Sequence, residues 1–210
     1  YDVSDYMDIE PDYGTLAQAQ QLIKETHECG IKLIVDIVPN HTSSDHTWFQ
    51  AALKAAPGSA ERNRYMFRDG KGANGDLPPN NWEAVFGGPA WKRITEADGK
   101  LGQWYLHLFA VEQPDLNWEN PEVVTHLEDV LKFWLDRGVD GFRIDVAHGM
   151  FKEAGLPDIR KDLAATMLGT EHKPFWDQEG VHGIYRAWRK IFDSYPGDRM
   201  AVAEAWVSPA

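Results

Sequence analysis

Apolar residues recur along this chain in two alternating rhythms. Leu16, Ala19, Leu22, Ile23 and Thr26 return at helical spacing, so residues 16–29 read as an amphipathic helix opened by Thr15 as N-cap. Gly30 is its C-terminal stop, and IKLIVDIV at 31–38 follows as a near-continuous apolar run. Strands covered on both faces of a parallel sheet show that pattern. Pro39 ends the run, and Asn40 and His41 stand where it opens into a loop. The unit returns: Pro121 starts a helix with the stripe Val124, Leu127, Val130, Leu131, Trp134 and Leu135, Gly138 stops it, and residues 139–146 read as the next strand. A third helix runs from about His182 through Ile184, Tyr185, Trp188, Ile191 and Phe192, breaks at Pro196 and Gly197, and leads into a short strand, Met200 to Ala203.

Three helix–turn–strand units in series predict an α/β fold, a parallel sheet with helices packed outside it. Periodicity alone leaves open whether the sheet closes into a barrel. No glycine-rich fingerprint follows any strand, which disfavours a dinucleotide site. The acidic, tyrosine-rich residues 1–13 read as a loop. Residues 41–120 far exceed an ordinary βα loop of about 2–6 residues. They are rich in Gly, Pro, Asn and Trp and contain the strand-like QWYLHLFA at 103–110, so they are expected to form an inserted subdomain. The resulting division is 1–40 and 121–210 as core units with 41–120 inserted, plus a shorter excursion over 149–180. Both interruptions follow strands, on the face where such folds carry their sites.

Composition narrows the function. The formal net charge of −12 leaves no basic stripe for a phosphate backbone, so a nucleic-acid partner is not expected. No apolar run approaches the roughly 20 residues of a membrane span, and no signal peptide opens the chain, so a cytoplasmic location is the expectation. The chain starts at Tyr1 rather than methionine and reads as an excerpt of a longer protein. Its single cysteine, Cys29, excludes an internal disulfide and is expected to be buried in the first helix. Nine tryptophans suit stacking on sugar rings, although core packing uses them too. His46, His107, His126, His172 and His182 lack metal-ligand spacing, so no transition-metal site is expected, and His148 is expected to be a packing or supporting residue rather than a catalyst.

The candidate chemistry lies in VDGFRIDVAH at 139–148. Arg143 and Asp145 are two apart in an expected strand, where β-branched Val139, Ile144 and Val146 favour the extended state, so both project to one face. Such a pair among apolar residues must be matched or used. A second acid, Glu204 in MAVAEAWV, ends the next short strand. Two carboxylates at neighbouring strand ends are what glycoside hydrolysis requires. Arg143 is expected to keep Asp145 ionised, and Ala203, Ala205 and Trp206 to give Glu204 an apolar setting that keeps it protonated before attack.

DIVPNH at 36–41, GFRIDVAH at 141–148 and AVAEAW at 201–206 resemble the first three signature regions of the α-amylase clan, glycoside hydrolase family 13. QPDLN at 113–117 resembles the additional signature of its α-glucosidase and oligo-1,6-glucosidase branch, as do YDVSDY at 1–6, NHTSSDHTWF at 40–49 and NNWEAVFGG at 80–88. The motifs stand in the family order across nearly the whole chain. The resemblance implies part of a (β/α)8 barrel, about strands three to five, with a subdomain after strand three. It implies retaining hydrolysis of α-1,4 or α-1,6 glucosidic bonds in short oligosaccharides.

By motif, Asp145 resembles the nucleophile and Glu204 the general acid/base. Arg143 resembles the arginine orienting the nucleophile, His41 the histidine bonding the cleaved sugar, and Tyr1 the aromatic platform beneath it. Phe86 and Phe109 resemble pocket aromatics, and Val146 the residue type associated with α-1,6 activity. Asp36 and Asn40 look structural, although Asn40 matches a calcium-ligating asparagine of true α-amylases. No cofactor is required on this reading, which leaves room for a structural calcium in the part of the parent barrel beyond these residues. The family's transition-state-stabilising aspartate also lies outside the chain, so these 210 residues alone are expected to be inactive and poorly folded. Two alternatives remain open: a glucosyl-transferring or isomerising relative of the trehalose synthase type, and a non-catalytic transporter heavy chain of the same fold.

Overall fold

A computed structural model describes residues 1–160 and 172–207; part of the excursion over 149–180 therefore lies outside the described residues. The first helix, α1 (Leu16–Glu28), opens on a capping box in which Thr15 and Gln18 satisfy each other's backbone N–H groups. It closes through Gly30 at φ 73°, with Gly30 N–H donating to His27 O (2.9 Å) and Ile31 N–H to Thr26 O (2.9 Å). That closure, a Schellman motif, turns the chain directly into β1 (Ile34–Ile37).

The insertion contributes α2 (Thr47–Lys54), α3 (Ala60–Asn63), β2 (Phe67–Arg68), β3 (Trp91–Thr95) and β4 (Leu101–Leu106). Next comes α4 (Pro121–Asp136), which ends by the same device at Gly138 (φ 99°), with Val139 N–H donating to Trp134 O (3.2 Å). β5 (Gly141–Ile144), α5 (Gly180–Asp193) and β6 (Met200–Ala203) complete the described chain. No helix among the described residues is long and apolar enough to cross a membrane.

The strands form two sheets. One is parallel, in the order β1-β5-β6; the other is antiparallel, in the order β2-β4-β3, and belongs wholly to the insertion. The parallel strands lie side by side in chain order, an arc of three rather than a closed barrel. Phe142 stacks on Phe192 of α5 (ring centroids 5.7 Å apart), so the helices cover the face holding Phe142 and Ile144. The register Asp36↔Arg143↔Val202 places those three on the opposite, inner face.

Several expectations are corrected here. β1 is not covered on both faces: Ile34 and Asp36, on the inner face of the arc, are exposed, and β6, at the sheet edge, is exposed throughout. Only the central β5 is deeply buried. Cys29 is exposed, since α1 ends at Glu28 and leaves Cys29 as its C-cap. β4 ends at Leu106 instead of continuing to 110, where Leu108 N–H leaves the ladder for the Asp115 carboxylate (2.9 Å). Val146 is not extended: it lies past β5 at φ 46°, in the left-handed region that a branched Cβ disfavours.

Candidate active site

The site grows from the sheet register. Ile144 of β5 pairs with Ala203 of β6, so the next residue on each strand, Asp145 and Glu204, leaves the sheet beside the other. Neighbouring strands run about 4.8 Å apart, which suits two carboxyls meant to face one small group. Arg143 ties them together. Its Nη1 donates to Asp145 Oδ1 (2.5 Å) and to Asp36 Oδ1 (2.9 Å), while Nη2 lies 3.8 Å from Glu204 Oε2. Asp36 foremost, and then Asp145, raise the guanidinium's pKa further above its already high value, so the cation is fixed. The side chains of Asp145 and Glu204 keep 11% and 25% of their surface accessible, so a solute can reach both.

Glu204 differs from its expected apolar setting. Its Oε2 accepts from the N–H of Val146 (3.0 Å) and faces Arg143, while Trp206 is largely exposed. The strand is too short and too open at this edge to enclose the carboxylate in side chains.

Around the acids stands an aromatic wall. The Tyr1 ring lies 5.5 Å from the Arg143 guanidinium carbon. Phe109 packs on His41 (5.3 Å) and meets Phe86 edge-on (5.7 Å). The wall continues from Phe109 to Trp176 (6.3 Å), from Trp176 to His148 (4.5 Å) and from His148 to Trp206 (5.8 Å). Phe86 is 74% exposed, a rim residue rather than insertion core, whereas Phe109 and Val146 are buried in the insertion's apolar cluster with Trp82, Trp91 and Phe175.

His41 is buried, and both of its ring nitrogens are engaged. Nδ1 takes the Asn40 amide (3.1 Å), so Nε2 carries the proton and donates to Tyr1 O (3.0 Å). Burial lowers its pKa, which keeps the ring neutral. In this arrangement His41 braces the residue expected to be the sugar platform. All eight sequence candidates thus gather in one region: Tyr1, His41, Phe86, Phe109, Arg143, Asp145, Val146 and Glu204.

Behind them lies a group that the sequence did not single out. Lys152 sends its ammonium to Asn40 Oδ1 (2.9 Å), Gly149 O (2.6 Å) and Asp115 Oδ2 (2.8 Å). Three oxygen acceptors match the three N–H donors of an ammonium. Asn40 Nδ2 also donates to Asp115 Oδ2 (3.2 Å). The oxygens around Asn40 are therefore already neutralised by a cation of the chain, and they do not fit a calcium ion as well. Among the described residues no three His, Cys, Asp or Glu side chains converge as a metal-binding group. Trp176 and Lys152 were hidden in the sequence because a lone lysine in GMFKEAG, or one tryptophan among nine, carries no periodic signal.

The full chain, residues 1–210, matches the family model described as alpha amylase, catalytic domain. The oligo-1,6-glucosidase of Parageobacillus thermoglucosidasius is 49% identical over 158 residues, 75% of this chain and 27% of that protein. The α-glucosidase of Apis mellifera is 38% identical over 222 aligned residues, 99% of this chain and 36% of that protein. Among solved structures, the trehalulose synthase of Pseudomonas mesoacidophila superposes with a TM-score of 0.83 at 35% identity, over 97% of this chain and 34% of the other. The chain thus spans about a third of the length of these relatives.

Proposed function

The chain belongs to the α-amylase catalytic-domain family, and from that premise we propose that it carries the acid pair of a retaining α-glucosidase. The substrates are short α-linked glucosides with terminal α-1,4 or α-1,6 bonds. The observation that carries the reading is the β5–β6 register, which sets Asp145 and Glu204 side by side across one arginine. A retaining pair needs carboxyls about 5–5.5 Å apart, the spacing that adjacent strand ends supply.

On this reading Asp145 attacks the anomeric carbon as Glu204 gives a proton to the departing oxygen. A glucosyl–Asp145 ester forms, and Glu204 then takes a proton from the water that opens it. Arg143, fixed as a cation, orients Asp145 for attack. Tyr1, braced by His41, offers the ring on which the cleaved glucose stacks. Phe86 and Phe109 shape the entrance. Two carboxylates supply the whole of the acid–base and nucleophilic chemistry, so the proposal includes no cofactor.

The test is kinetic, on the full-length protein that holds this segment. Asp145→Asn should abolish maltose and isomaltose hydrolysis without loss of folding. Glu204→Gln should abolish it for sugar leaving groups and spare only the first step with 2,4-dinitrophenyl glucoside, whose leaving group departs without a proton, so that a burst of dinitrophenol precedes slow opening of the ester. Wild-type rates in either variant on maltose would refute the assignment. The likeness to a trehalulose synthase favours a second reading, in which a sugar hydroxyl replaces water as the attacking group. Products formed at high maltose separate the two: glucose alone for hydrolysis, new disaccharides for transfer.

A further inference from the structure

We propose that the backbone N–H of Val146 is a positioning donor for Glu204, one that fixes Oε2 as the acceptor oxygen and leaves Oε1 to carry the catalytic proton. The inference rests on the reading of Glu204 as acid/base given above. Glu204 N–H donates to Ile144 O (2.9 Å), as a parallel ladder requires. Continued regularly, that ladder would bring the N–H of Val146 to Glu204 O. The left-handed turn at Val146 (φ 46°) shifts the pattern by one residue, so Ala147 N–H takes Glu204 O instead (2.9 Å). The freed N–H of Val146 then reaches Glu204 Oε2 at 3.0 Å.

A branched residue held in this conformation is maintained by its surroundings. The Val146 side chain is buried in the insertion's apolar cluster, and the Tyr185 hydroxyl of α5 donates to Ala147 O. The charged and titratable groups near Glu204 are Arg143, whose Nη2 stands 3.8 Å from the same Oε2, Asp145 on the adjoining turn, and neutral His148. An N–H aimed at Oε2 occupies that oxygen as an acceptor and leaves Oε1 without a backbone donor. The proton leaves Oε1 for the glycosidic oxygen as the C1–O bond breaks and the bond from Asp145 to C1 forms. It returns to Oε1 from water when that ester opens.

The experiment replaces Val146 in the full-length protein by its α-hydroxy analogue, which exchanges only the N–H for an ester oxygen. The basic limb of kcat/KM for maltose should move up by about one pH unit, the effect of removing one donor from a charged acceptor. Maltose turnover should fall more than turnover of 2,4-dinitrophenyl glucoside. Val146→Gly keeps the N–H and accepts the left-handed backbone, so its basic limb should stay in place. An unmoved limb in the ester protein, or an equal shift in the glycine variant, overturns the proposal. In the unmodified protein, the Val146 amide proton resonance should titrate with the pKa of that limb; an insensitive amide overturns the proposal even where the ester protein does not fold. Glu204→Gln separates the two levels. Full maltose activity there removes the acid/base reading itself, whereas collapse of activity with an unmoved ester limb removes only the present inference.

Discussion

Lys152→Met is the substitution whose cost the structure lets us work out most closely. The ammonium is 2% exposed and its partner carboxylate, Asp115, 0%. Without the lysine, Asp115 keeps the N–H of Leu108 (2.9 Å) and the Asn40 amide (3.2 Å), but nothing neutralises its charge. Asn40 Oδ1 and Gly149 O lose a donor as well. Breaking a buried pair from one side costs about 3–5 kcal/mol, a large share of a stability of about 5–15 kcal/mol. Adding Asp115→Asn removes the stranded charge and should restore more than half of that loss. The assay is the guanidinium unfolding midpoint of the full-length protein for wild type, each single variant and the double variant. A cost below about 1 kcal/mol for Lys152→Met, or additive losses in the double variant, would refute the account of a closed, mutually dependent network.

Acid should loosen the junction between α2 and α4. His46 caps α2 by accepting from Trp48 N–H through Nδ1, and burial, with His126 second, pulls its pKa down to about 4. The unfolded chain then binds the extra proton first, so stability should fall as pH drops from about 6.5 to about 4, by at most ~3 kcal/mol, and level off below. His46→Asn, a cap that does not titrate, should flatten the unfolding midpoint over that range. Asp140 acts in the same direction at lower pH. Burial opposes its charge, yet Leu33 N–H, His27 and Lys32 bring its pKa down to about 2. The stability it contributes is complete above pH about 4 and lost as pH falls toward 2. Asp140→Asn should remove that acid-range slope from the denaturation curve. Phe86→Ala, at an exposed rim ring, should raise KM for maltose severalfold and leave the melting temperature within about a degree.

Much of the scaffold could be read from local chemistry. Thr15 with Gln18, Gly30 and Gly138 announce helix ends because capping involves only a few neighbouring atoms. The pairing of Asp145 with Glu204 was legible through motif order. Its geometric basis, the register Ile144↔Ala203, was not, because register depends on contacts between distant segments. Val146 misled for the same reason: its propensity favours an extended backbone, and the packed insertion holds it left-handed. Cys29 was expected inside, but the Schellman turn leaves the helix cap exposed. Lys152 gave no local signal, since a lysine becomes meaningful only when Asn40, Gly149 and Asp115 converge on it.

On the proposed mechanism, Asp145 bonds covalently to the sugar whose leaving oxygen Glu204 protonates. Incubating the full-length protein with 5-fluoro-α-glucosyl fluoride, which forms the ester readily and loses it slowly, tests this directly. Mass spectrometry of the digested protein should find one fluoroglucosyl unit on the peptide carrying Asp145, and none in Asp145→Asn. A label on another residue, or inactivation without any adduct, would contradict it.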